Sequence, residues 1–168
     1  MTRLSTYLSF VRFSHSVFAL PFALTGALLA LHRTGDWTAA GVARRVGWIV
    51  VAMVAARSAA MGFNRLVDAR HDALNPRTAS RELPRGAMTR AEAAAFIVAA
   101  SLVFVFAAWR LGPLSFALSP VALAIVFWYS LAKRFTTWTQ LYLGLAMAVA
   151  PVGGWLGAGG REGWEPWL

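Results

Sequence analysis

The sequence predicts an all-α protein built as a polytopic bundle of transmembrane helices, and three observations predict it. Of its 168 residues, 58% are apolar and only 14% charged, against about a quarter charged in a soluble domain. The apolar excess has to face lipid. Five stretches approach the roughly 20 apolar residues that a spanning helix needs: Phe13 to Leu31, Val46 to Phe63, Ala91 to Trp109, Leu114 to Leu131 and Trp138 to Leu156. The basic residues behind the formal charge of +9 fall between those stretches, which points to membrane orientation and away from nucleic acid.

Arg3 and Arg12 precede the first stretch as they would a signal peptide. The apolar run is longer than a typical signal core and no small-x-small cleavage site follows, so it reads as a retained helix that Pro21 is expected to kink. His15, between Ser14 and Ser16, suits an interhelical hydrogen bond better than proton transfer. His32 to Arg45 is an ordinary polar connection. The second stretch carries a charge, Arg57, near its centre, and leads into a long loop from Arg65 to Arg90. Asn75-Pro76 should end any helix running into that loop. The fourth stretch ends on Tyr129-Ser130-Leu131-Ala132-Lys133-Arg134. Phe104, Phe106, Phe127 and Trp128 read mostly as packing or lipid-facing residues.

Orientation follows from the basic residues. With the N-terminus in the cytoplasm, Arg3, Arg12, Arg65, Arg70, Arg77, Arg81, Arg85, Arg90, Lys133 and Arg134 lie inside, against Arg33, Arg44, Arg45, Arg110 and Arg161 outside. That bias favours a cytoplasmic N-terminus and an external C-terminus. The loop at 65–90 is then cytoplasmic. Residues 1–168 read as one transmembrane domain with no repeat or soluble module. The chain contains no cysteine, so thiolate chemistry and disulfides are excluded.

The chemistry concentrates in Asn64-x-x-x-Asp68-x-x-x-Asp72, where the second span leaves the membrane. If helix continues, each four-residue step advances about 400°, which holds the three side chains within roughly 80° of one another. Successive members rise about 6 Å, too far for all three to grip one ion but suited to Mg²⁺ that also holds a diphosphate, because Mg²⁺ favours one or two carboxylates plus phosphate oxygens. The competing reading is a solvated helix end. Arg57 lies seven residues earlier, nearly two full turns, and so points the same way one level deeper. A charge there costs about 2.5–3.5 kcal/mol on insertion scales and should meet an anion. Arg77, Arg81, Arg85 and Arg90 serve the inside charge bias and could also clamp phosphate. Tyr129 and Lys133, four residues apart, share a helix face at the same membrane side, where both can donate to phosphate oxygens.

Together these residues resemble the UbiA superfamily of intramembrane prenyltransferases. The resemblance is carried by Arg57, by Asn64-x-x-x-Asp68-x-x-x-Asp72, by Asn75-Pro76-Arg77-Thr78 through Arg81-Glu82-Leu83-Pro84-Arg85-Gly86, and by Tyr129-Ser130-x-x-Lys133-Arg134. The opening Ser14-His15-Ser16-Val17-Phe18-Ala19-Leu20-Pro21-Phe22 is similar to the 4-hydroxybenzoate and menaquinone-pathway branch. The resemblance implies a nine-helix fold with a central cavity capped on the cytoplasmic side, in a bacterial inner-membrane enzyme of ubiquinone or menaquinone biosynthesis. It implies that Asn64, Asp68 and Asp72 hold Mg²⁺ and are catalytic, and that Tyr129, Lys133, Arg77 and Arg81 contact the diphosphate of a polyprenyl diphosphate. Arg57 would orient the aromatic acceptor, a 4-hydroxybenzoate-like or naphthoate-like ring.

The family also carries a second aspartate-rich motif near its sixth helix. Beyond Glu92 the acids here are Glu162 and Glu165, expected on the opposite side of the membrane. The 168 residues are therefore expected to be an N-terminal portion holding half a metal site and inactive alone. Two rival classes stand beside the enzyme. A membrane scaffold for anionic lipid needs the basic loop but not the aspartates, and a half-transporter needs charge deep in several spans, where Arg57 is the clear case.

Overall fold

The computed structural model describes residues 3–10, 20–35, 37–132 and 134–160. Among them are six helices and no strand: α1 (Arg3–Phe10), α2 (Leu20–Thr34), α3 (Ala39–Leu74), α4 (Arg90–Leu111), α5 (Pro113–Ala132) and α6 (Thr139–Gly157). Among the described residues, α3 to α6 are long and apolar enough to cross a membrane. The bundle is the all-α polytopic architecture that the sequence predicts.

Several boundaries differ from the sequence reading. The helix α3 has 36 residues, about 54 Å at 1.5 Å per residue, against a hydrocarbon layer of about 30 Å. It therefore absorbs Arg44 and Arg45, expected in a connection, and Arg65 to Leu74, expected in the loop. Hydropathy marks the part of a helix that lies in lipid, whereas Ala, Arg and Leu continue a helix beyond it. The stop at Asn75-Pro76 is where the sequence places it, with Asn75 as an extended C-cap whose N–H bonds to the Asp72 carbonyl. The loop proper spans 75–89, and the aspartates lie on the helix that precedes it.

The other ends follow from local chemistry. Thr89 and Glu92 form a reciprocal capping box that starts α4. Gly112 ends α4 at φ 148°, a backbone region L residues avoid, and Pro113 opens α5, where its missing N–H costs nothing. Pro21 is the second described residue of α2; the preceding part of the expected first span, with His15, and hence any kink at Pro21, lies outside the described residues. The short helix α1 has no counterpart among the apolar stretches.

Contacts join α3 chiefly to α4, and α2 to α6. The second pair is a backbone approach: a Cβ on Gly154 would lie 2.0 Å from the Ala23 carbonyl oxygen, and one on Gly26 2.1 Å from that of Pro151. Small residues let spanning helices meet this closely. A core cluster of Ala23, Ala27, Ala30, Leu31, Ile49, Trp155 and Ala158 lies around that contact. A second cluster seats Phe10 of α1 on Met88 and Ala93, so α1 packs where the loop enters α4. Leu102, Phe106 and Trp109 on α4 and Leu114, Phe116 and Val121 on α5 point outward, the arrangement lipid requires.

Candidate functional site

Because α3 continues unbroken to Leu74, Asn64, Asp68 and Asp72 stand at successive turns of one helix. Two of them face the end of α5. The Asn64 amide donates to Ser130 Oγ at 3.3 Å, and Arg134, just beyond α5, donates to the Val67 carbonyl at 2.8 Å and to Asp68 Oδ1 at 3.4 Å. The α5 terminus thus lies level with the aspartate stripe, as the shared membrane side of the two motifs predicts. Tyr129, next to Ser130, is half-buried. Lys133 lies outside the described residues.

Asp72 is turned toward the loop. It is 8% exposed, and its Oδ2 accepts from Arg81 Nη1 at 2.7 Å. The Thr78 hydroxyl donates to its carbonyl oxygen at 3.0 Å. Arg77 is exposed, and its backbone N–H donates to Asn75 Oδ1 at 3.0 Å. Arg77 and Arg81 therefore stand differently: Arg81 reaches the stripe, and Arg77 borders it from solvent.

A buried pair beside the stripe was not legible as a pair. Arg65 Nη1 bonds to Glu82 Oε2, both side chains almost wholly buried, and Ser9 of α1 donates to Glu82 Oε1 at 2.5 Å. The Arg65 guanidinium also stands 5.7 Å from the Phe10 ring centre. These bonds tie α1, α3 and the loop together behind Asp72. The signal available in the sequence was Glu82 itself, an acid within a basic loop, but nothing there names its partner 17 residues earlier.

Deeper in the bundle, Arg57 is half-buried and its Nε is buried without a hydrogen-bond acceptor among the described residues. A buried donor of this kind needs an acceptor to offset its lost hydration. Nearby, Phe63 of α3 and Phe127 of α5 meet with ring centres 4.6 Å apart, joining the same two helices that carry the polar groups.

Among the described residues no three His, Cys, Asp or Glu side chains converge as a metal cage. Two carboxylates and an amide on one helix face suit a different mode, in which Mg²⁺ keeps one or two carboxylates and takes its remaining oxygens from phosphate and water. Guanidiniums at the edge of the stripe add donors suited to the phosphate itself. The residues present fit a magnesium diphosphate.

Comparison with known proteins identifies the family and the fold. A sequence model of the UbiA prenyltransferase family matches residues 19–168. A 4-hydroxybenzoate octaprenyltransferase of Vibrio vulnificus (strain CMCP6) is 29% identical over 145 residues, covering 86% of this chain and 49% of that protein. A protoheme IX farnesyltransferase of Gloeobacter violaceus is 34% identical over 116 residues, covering 67% and 38%. The apo structure of a UbiA homolog from Aeropyrum pernix K1 superposes with a TM-score of 0.80 at 34% identity, over 92% of this chain and 55% of that one. The chain spans about half the length of such relatives.

Proposed function

This chain belongs to the UbiA prenyltransferase family, and from that premise we propose that the whole protein transfers a polyprenyl group from a polyprenyl diphosphate to an aromatic acceptor. The observation that carries the reading is the meeting of the Asn64/Asp68 face of α3 with Ser130 and Arg134 at the end of α5. It gathers carboxylates that attract cations and guanidiniums that attract phosphate within one polar end of an otherwise apolar bundle. A lipid-binding scaffold or a half-transporter has no need of that pairing, and family membership favours the enzyme over both.

In this reading Asn64, Asp68 and Asp72 would hold Mg²⁺, which when bound neutralises charge on the departing diphosphate. Arg81 and Arg77 from the loop, Tyr129 from the end of α5, and Lys133, which follows that helix in the sequence, would donate to the diphosphate oxygens and fix the leaving group beside the aspartate stripe. The allylic C–O bond breaks with its electron pair going to the diphosphate. A carbon–carbon bond then forms as the electron-rich ring attacks the allylic cation, and the ring regains aromaticity by losing a proton. Aromatic faces such as those of Phe63 and Phe127 suit stabilisation of that cation.

Arg57 would hold the acceptor. Its unmatched Nε–H suits a carboxylate, which favours a 4-hydroxybenzoate-like or naphthoate-like ring and hence a place in quinone biosynthesis. The relatives are named for two different transfers, 4-hydroxybenzoate octaprenylation and protoheme farnesylation, so the acceptor is the finer part of the proposal.

The test is Asp68→Asn in the full chain, assayed for prenyl transfer to 4-hydroxybenzoate with varied Mg²⁺. The substitution keeps size and removes the charge that Mg²⁺ selects. Activity should fall at least about a hundredfold, a loss of roughly 2.7 kcal/mol in transition-state stabilisation, with the melting temperature nearly unchanged. Full activity would remove the metal assignment and return the aspartates to a solvated helix end.

A further inference from the structure

At the far end of α3 from the aspartates, a cavity of about 110 Å³ is lined by Arg44, Arg45, Trp48, Arg110, Leu111, Gly157 and Gly159. It lies where α3 begins and where α4 and α6 end. Nothing in the proposed transfer uses it. We propose that it is an anion site for the phosphate of an anionic phospholipid headgroup, on the membrane face opposite the aspartate stripe.

Position comes first. Arg45 and Asp68 are 23 residues apart on one continuous helix, about 35 Å at 1.5 Å per residue, close to the thickness of a hydrocarbon layer. The two polar regions therefore sit at opposite faces of the membrane. Trp48 lines the cavity, while Trp37 and Trp109 are more than half exposed at the same end of the bundle. Indole rings gather at headgroup level, which places the cavity mouth where lipid phosphates lie.

Charge comes second. Each guanidinium contributes a full positive charge, while each of the two helix C-termini here offers at most about half a negative charge and the start of α3 about half a positive one. Arg44 and Arg110 alone thus bring two positive charges to the cavity lining, against at most about one negative charge from those two C-termini. The described acids, Asp68, Asp72, Glu82 and Glu92, belong to the other end of the bundle; Asp36, Glu162 and Glu165 lie outside the described residues. If the aspartate face is cytoplasmic, these arginines also stand on the side where the charge bias gives basic residues no advantage.

Geometry comes third. Arg110 stands with its Cζ 5.3 Å from the Trp48 ring centre and 5.9 Å from that of Trp109, contacts that a guanidinium can make through its face while its N–H donors bind an anion. Gly159, at φ 97°, is the turn beyond α6, and a Cβ there would lie 4.0 Å from the Arg45 guanidinium. At a usual share of about 30 Å³ per water, the cavity has room for several waters or for one phosphate group.

The test uses the full chain purified in detergent with EDTA, so that Mg²⁺ binding is silent. Phosphatidylglycerol, phosphatidylcholine and inorganic phosphate are titrated separately, with affinity read by thermophoresis and by retained lipid in native mass spectrometry. Phosphatidylglycerol should bind in preference to phosphatidylcholine, and Arg44→Gln/Arg110→Gln should weaken it about a hundredfold, roughly tenfold per guanidinium. Failure of inorganic phosphate to compete identifies the headgroup as the source. Competition at similar strength identifies a free phosphate on the same arginines. Asp68→Asn should leave the affinity unchanged, which separates this site from prenyl transfer. An unchanged phosphatidylglycerol affinity in the arginine variant would overturn the site and leave its arginines to pairing within the chain. Should that variant fail to fold, photo-crosslinking of the unmodified chain with a diazirine-headgroup phosphatidylglycerol decides. Label confined to 44–48 and 109–111 supports the proposal, and label scattered over both ends refutes it.

Discussion

Arg57 is where a single side chain carries the most risk for the fold and the most meaning for the chemistry. Its buried Nε has no acceptor among the described residues, and a charge at the centre of a span is costly, so Arg57→Leu should insert at least as well as the parent. Losing a charge-assisted hydrogen bond of about 1.5–3 kcal/mol should cut kcat/KM for the aromatic acceptor by about 10- to 100-fold while sparing the KM for prenyl diphosphate. Unchanged acceptor kinetics would leave Arg57 with a structural role. Glu82 is the contrasting case, since its carboxylate is buried against Arg65 and Ser9. Removing one member of a buried pair leaves the other charged and alone, at about 3–5 kcal/mol. Glu82→Ala should therefore lower the melting temperature sharply, whereas Arg65→Met/Glu82→Leu should recover much of the loss. Equal destabilisation by the single and double variants would show that the pair is not the tie between α1 and the loop.

At the scale of elements, what could be read from the sequence depended on whether its cause was local. Apolar runs marked the spans, and Asn75-Pro76 marked the end of α3, because lipid contact and proline sterics act on neighbouring residues. The stripe Asn64, Asp68, Asp72 was legible because the spacing of one helix fixes one face. The bonds from Asn64 to Ser130 and from Arg134 to Asp68 bridge 66 residues; the sequence could give their shared depth but not their pairing. The sequence puts the aspartates in a loop, whereas the loop begins at Asn75, because polarity marks the end of the membrane and not the end of the helix. Helix packing left an equally faint trace. Gly26 and Gly154 look like any glycines in an apolar run, yet each meets a carbonyl oxygen of the opposing helix. Gly154→Val should cost at the upper end of the 1–3 kcal/mol usual for overpacking, about 3 kcal/mol, because backbone cannot yield as a side chain does. Gly153→Val, with nothing within 4 Å, should be close to neutral. Similar melting temperatures for the two variants would refute the close contact of α2 with α6.

For the whole molecule, the proposed site requires both polar clusters on one membrane side, and the bundle's length makes that side measurable. With α3 about 54 Å long and the hydrocarbon layer about 30 Å, both ends of the helix project into water, one carrying Arg44 and Arg45 and the other Asp68 and Asp72. Arg65, Arg70, Arg77, Arg81, Arg85, Arg90 and Arg134 belong to the aspartate end, against Arg33, Arg44, Arg45 and Arg110 at the other. The excess lies in short segments next to spans, the positions that weigh most in setting orientation, so the loop at 75–89 should be cytoplasmic. The chain contains no cysteine, which allows single-cysteine labelling without background. Ser80 and Ala40 are both exposed, one in the loop and one at the start of α3. In intact cells a membrane-impermeant maleimide should label Ala40→Cys and spare Ser80→Cys, and permeabilisation should expose Ser80→Cys. The reverse pattern would put the aspartates outside, where a diphosphate substrate made in the cytoplasm could not reach them, and the prenyltransferase reading would lose its substrate along with its topology.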